Sequence, residues 1–285
     1  MPDLIAEPFA FAFMRNALAA GLLTVFASSL VGTWVVLRGM AFMGDALAHG
    51  VLPGIALAYL VGGNLLVGGA LSAVVMIVGI TLVSARSRLG EDTSIGLLFV
   101  GMLALGVAII SRGGAYAGDL TTILFGDPIG VTTSDLRVSA IAAAVALGVT
   151  LALYRSFLVL SFSRAKAQVL GLHPRVAHVA MLALVAMVIL ASFQTVGTLL
   201  VFAVLIAPPA TASLLARRVP VMMAVSVLVG SLWVFVGLLV SYHLGTATAA
   251  TIAGLSVFGF FLVLAGKELV TRLRRPSFPA VAEGG

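Results

Sequence analysis

Asp45 and His49 stand four residues apart in "MAFMGDALAHGV" (40–51), with Gly44 before and Gly50 after, in a chain where charged residues are only 9%. On a helix, side chains four apart share a face, so the two form one carboxylate–imidazole unit. Two chemistries are open to it. One is a buried pair in which Asp45 accepts from His49 and fastens two helices together. The other is a cation site, because an ionisable group inside a membrane span costs several kcal/mol and is by default a functional candidate. Carboxylate plus imidazole suits zinc, manganese or ferrous iron better than magnesium. The pair supplies only two ligands where zinc normally takes four. A two-fold dimer would bring two Asp and two His together across its axis. Gly44 and Gly50 would let a backbone or a ligand approach closely, and Pro53 follows one turn on.

The elements that must position this pair are membrane helices. Hydrophobic residues make up 61% of 285 residues and the mean hydropathy is +1.22, well above the apolar share of a soluble domain, about 45–50%. The apolar residues fall in continuous runs rather than alternating, which excludes a barrel and leaves helices. The fold class is therefore all-α and polytopic, with about eight to nine spans near 14–37, 47–62, 65–84, 92–111, 135–158, 178–194, 197–216, 219–242 and 246–266. The second and sixth are short, as a broken or tilted helix would be.

Basic residues orient the chain. Arg86 and Arg88, then Arg164, Lys166 and Arg175, then Arg217 and Arg218, then Lys267, Arg272, Arg274 and Arg275 fall at alternate connections, which places all of them inside. Residues 112–134, with Asp119 and Asp127, fall outside. The net charge of +6 reflects this loop bias and points to no nucleic acid. No cysteine is present, so disulfides and thiolate ligands are excluded. The N-terminus lacks the basic stretch of a signal peptide, and no cleaved segment is expected. Residues 1–267 read as one transmembrane domain, followed by a basic, then disordered tail over 268–285. With no soluble domain in sight, any energy source must sit on another chain.

Glu91 and Asp92 read as the first turn of a helix, where the dipole favours acid. His173, His178 and His243 have no acidic neighbour in sequence and are not assigned as ligands. The stretch 161–176, "SFSRAKAQVLGLHPRV", is amphipathic and basic. It suits a helix lying at the headgroups or one that docks on a soluble partner.

Four segments together carry a resemblance: "RGMAFMGDALAHGVLPGIALAY" (38–59), "EDTSIGLLFVGMLALGVAIIS" (91–111), "DLTTILFGDPIGVTTSDL" (119–136) and "TVGTLLVFAVLIAPPATA" (195–212). In this order they resemble the membrane permease subunits of bacterial ABC importers for zinc, manganese and iron. The resemblance implies a compact helical permease of the cobalamin and metal-chelate importer type in the bacterial inner membrane. It implies transport rather than catalysis, with ATP on a separate cytoplasmic ATPase dimer and no resident cofactor. A second copy of the chain, or a paired homologue, completes the path, and a periplasmic or lipid-anchored protein delivers the metal. Asp45 and His49 match the family's metal-path positions. Residues 163–174 match its ATPase-coupling helix, with Arg164, Ala167, Leu170, Gly171 and Pro174 as contact positions. Asp119 and Asp127 are expected at the outer gate or docking surface, with a helix-capping role as the alternative. Zinc is favoured as cargo, manganese next and ferrous iron third. A proton-coupled metal carrier and an intramembrane metalloenzyme are the other readings, though no "HExxH" pattern is present.

Overall fold

A computed structural model of the chain describes residues 7–87, 91–111 and 130–274. The regular elements among them are helices: α1 (Ala12–Leu37), α2 (Ala41–Gly50), α3 (Leu52–Leu60), α4 (Leu65–Arg86), α5 (Glu91–Ser111), α6 (Thr133–Ala152), α7 (Tyr154–Phe162), α8 (Arg164–Val169), α9 (Pro174–Leu215), α10 (Val219–Leu244) and α11 (Thr248–Arg274). Among the described residues, eight stretches are long and apolar enough to cross a bilayer, and Leu199–Leu215 is a shorter apolar helix. Helices dominate because a bilayer interior offers the backbone no other partner.

The centre of the bundle is α1, whose Trp34 is fully buried against Tyr154 and Phe157 at ring separations of 5.4 and 5.6 Å. Two hydrogen bonds set α9 antiparallel to it. Arg38 Nη1 donates to His178 Nδ1 at 2.8 Å, and fourteen residues further along each helix Thr24 Oγ1 donates to Ser192 Oγ at 3.1 Å.

That alignment exposes a reversal inside α9. A straight helix would carry Leu205 about 40 Å beyond His178. Instead the carbonyl of Leu205 packs against Gly32, only about 9 Å along α1 from Arg38. The chain turns back at Gly197, whose φ of 75° and ψ of 162° are open to glycine and strained for other residues. The two expected segments on either side, 178–194 and 197–216, are thus the arms of one hairpin.

The hairpin brings the basic connections to one end. Arg38 meets the start of α9, and Lys267 Nζ donates to the carbonyl of Leu214 at 2.7 Å. Asn16 reaches the Val131 carbonyl at the other end. By the positive-inside rule the basic end is cytoplasmic.

Several boundaries differ from the sequence reading. The second span runs over 41–60, starting six residues before the expected 47, because polar Asp45 and His49 lower the local hydropathy that marked its edge. It is broken into α2 and α3 at Val51. There Pro53 has no N–H to give the His49 carbonyl, while Ser72 Oγ donates to the Gly50 carbonyl at 2.9 Å. The expected 135–158 span divides into α6 and α7 at Leu153. Helix α11 continues through Arg274, so the basic stretch 268–274 is helical and continuous with the last span. Residues 275–285 lie outside the described residues.

Candidate metal site

Helix α2 carries Phe42, Asp45 and His49 at steps of three and four, on one face. The opposite face, including Met43, Ala46 and Leu47, is buried in the bundle. The glycines serve this packing. A side chain at Gly44 would strike Leu205 of α9 at 2.7 Å, and one at Gly50 would press on Met76 of α4 at 3.1 Å. Gly54 of α3 and Gly68 of α4 meet backbone to backbone, the close approach small residues allow between membrane helices. Gly44 and Gly50 therefore admit neighbouring helices of the same chain, and the ligand-admitting role open to them in sequence falls away.

His49 Nδ1 lies 3.1 Å from the Asp45 carbonyl oxygen and 3.3 Å from Asp45 Oδ1. The carbonyl only accepts, as does the carboxylate when ionised, so Nδ1 carries the proton. In the neutral imidazole the lone pair is then on Nε2, the arrangement in which an imidazole held by a carboxylate coordinates a metal. The Phe99 ring of α5 stands edge-on to the imidazole, 5.6 Å away at 85°, and limits its rotation.

The side chains of Asp45 and His49 retain 28% and 24% of their exposure. Both are thus open to further ligands on the uncovered face. Among the described residues, no group of three or more His, Cys, Asp or Glu could hold a metal. The described residues of one chain bring together two such donors here.

The cytoplasmic segment is a compact corner. Ser163 Oγ accepts from the Lys166 N–H at 3.2 Å to start α8. Gly171, at φ 68°, ends it, with Leu172 N–H donating to the Ala167 carbonyl and Gly171 N–H to that of Gln168. This is a Schellman closure, and Pro174 then opens α9. Ala167 is 1% exposed and faces the chain's own interior, so it offers no contact surface to another protein. Val169 and Leu170 face outward at 87% and 64%. The backbone of Arg164 begins α8. Beside this corner lies a cleft of about 500 Å³ between α4, α8 and α9, lined by Ser84, Gln168, Arg175 and His178 among others.

Sequence reasoning passed over Arg38 and considered His178 only as a ligand. Because a guanidinium only donates, the 2.8 Å contact makes His178 Nδ1 an acceptor and puts its proton on Nε2. No local pattern could signal a pair 140 residues apart. His243 stacks edge-on with Tyr242 at 5.3 Å, an aromatic setting at a span end. Glu91 and Asp92 are both helical residues of α5. Asp119 and Asp127 lie outside the described residues. The neighbouring Asp135 closes a capping box with Thr132.

Known proteins share this architecture over nearly its full length. A probable iron transport system membrane protein from Haemophilus influenzae is 36% identical over 272 residues, 95% of this chain and 100% of that protein. The manganese transport system membrane protein MntC of Listeria monocytogenes is 34% identical over 252 residues, 88% of this chain and 90% of MntC. Among solved structures, PsaBC from Streptococcus pneumoniae in complex with Fab superposes with a TM-score of 0.83 at 30% identity, covering 96% of this chain and 99% of the other. Residues 10–267 match the ABC 3 transport family. The chain is a member of that family, a multi-pass permease that serves transport and leaves ATP hydrolysis to a separate subunit.

Proposed function

We propose that this chain forms the translocation path of an ATP-driven importer of divalent transition metals, with Asp45 and His49 as the metal-handling residues. The observation that carries the reading is the Nδ1-bonded imidazole of His49, held with Asp45 on the uncovered face of a broken span. Weak, incomplete coordination is what a transport site needs, because the ion must leave as well as enter. Two copies of the chain, facing each other, would supply two carboxylates and two imidazoles. Residues 1–267 act as one permease unit. Its cytoplasmic corner, from Arg164 through Leu170 and Gly171 to Pro174, couples to an ATPase, and Asp119 and Asp127 serve the outer gate or the docking of a metal-binding protein.

Ligand chemistry alone ranks zinc above manganese at any such site. The relatives' names support manganese or iron as the cargo here. Selectivity then rests on geometry or on the delivering protein. The test is uptake by the reconstituted importer with manganese, zinc and ferrous iron in competition, with and without the binding protein. Manganese accumulation that excess zinc inhibits without zinc entering supports manganese as cargo. Zinc accumulation at the higher rate returns the assignment to zinc.

A further inference from the structure

We infer that Phe42 and Phe99 form an apolar gate on the cytoplasmic side of the Asp45–His49 site, an assignment that rests on the metal reading of that pair. Helix α2 leaves the cytoplasmic end immediately after Arg38, so Phe42 sits about one helical turn nearer the cytoplasm than Asp45. It shares the face of Asp45 and His49 and is 45% exposed there. A large apolar ring thus projects toward the same space as the two polar side chains, directly on the exit side.

The ring is not alone. Phe99 of α5 stands edge-on to Phe42 at 5.5 Å and 73°, and edge-on to His49 at 5.6 Å and 85°. One phenyl group therefore touches both Phe42 and the proposed metal-handling residue His49. An apolar constriction blocks ions by excluding the water they carry, and a divalent cation is especially costly to strip. A shift of α2 against α5 would separate Phe42 from Phe99 and would also free the His49 imidazole from its aromatic wall. The gate and the site share Phe99, so such a shift would couple release of the ion to opening of the exit.

The experiment uses the permease–ATPase complex in proteoliposomes without ATP, with manganese alone as the probe and a manganese-quenched dye enclosed. Phe42→Ala and Phe99→Ala should each admit manganese at least about tenfold faster than the parent, because an opened apolar ring lets water through. Phe99→Leu keeps a bulky apolar group and should stay near the parental leak. Complex assembly is checked by size-exclusion chromatography. Phe42→Ala decides the matter if Phe99→Ala fails to assemble, since Phe42 is partly exposed. Parental leak in Phe42→Ala, with Asp45→Ala inactive in ATP-driven uptake, overturns the gate and leaves the site standing. Parental uptake in both Asp45→Ala and His49→Ala overturns the site and the gate with it.

Discussion

In the proposed metal site, Asp45 would orient His49 through Nδ1. The carboxylate and the carbonyl of the same residue both face that nitrogen, at 3.3 and 3.1 Å. Together they hold the proton there and aim the lone pair of Nε2 elsewhere. Asp45→Asn keeps the size and removes the charge, so it tests electrostatics apart from packing. Uptake in that variant should fall by about 10–100-fold, the usual effect of losing a group that orients a metal-binding histidine. His49→Ala should abolish uptake, and both variants should retain the assembled complex on size exclusion. Parental uptake by both would return the pair to the fastening role that sequence left open. This pair was legible because its spacing is local, one helical turn within a single segment. The Arg38–His178 contact was not, because two helices antiparallel over fourteen residues must first be folded to bring it about.

At the scale of elements, the sequence conveys which stretches are apolar but not which face each presents. The start of the second span was obscured by its own polar residues. Asp45 and His49 interrupt the hydropathy, while the bundle buries their neighbours Met43, Ala46 and Leu47 on the other side of α2. The reversal at Gly197 left a trace, since a break between 194 and 197 was readable, yet the hairpin itself depends on Gly32 receiving Leu205. Residues 163–174 show the same limit. Their amphipathic character was plain, but a six-residue helix cannot reveal from composition that Ala167 turns inward and Val169 outward. The chain has no cysteine, so single cysteines can be introduced without background. Cysteine at Val169 or Leu170 should crosslink to the ATPase, whereas cysteine at Ala167, 1% exposed, should not. Equal crosslinking from all three would mean that α8 unpacks when the complex forms. Crosslinks confined to 85–92 would move the coupling surface to that connection.

For the whole molecule, the incomplete site becomes a statement about assembly. Asp45 and His49 retain about a quarter of their exposure on a face that the rest of the described chain leaves uncovered, and among the described residues no third His, Cys, Asp or Glu joins them to make a metal-holding group. A single chain would leave most of a transition metal's coordination positions to water, whereas two facing copies would offer four protein donors. The predicted stoichiometry is therefore one manganese ion per two permease chains in the purified permease–ATPase complex, measured by equilibrium dialysis with elemental analysis. Binding should drop below detection when either Asp45 or His49 is replaced in both copies. A mixed complex with one altered chain should bind more weakly than the parent and remain above that background. One tightly bound ion per chain would sink the shared site. It would show that a single copy completes its own coordination shell and that the uncovered face of α2 serves a different contact.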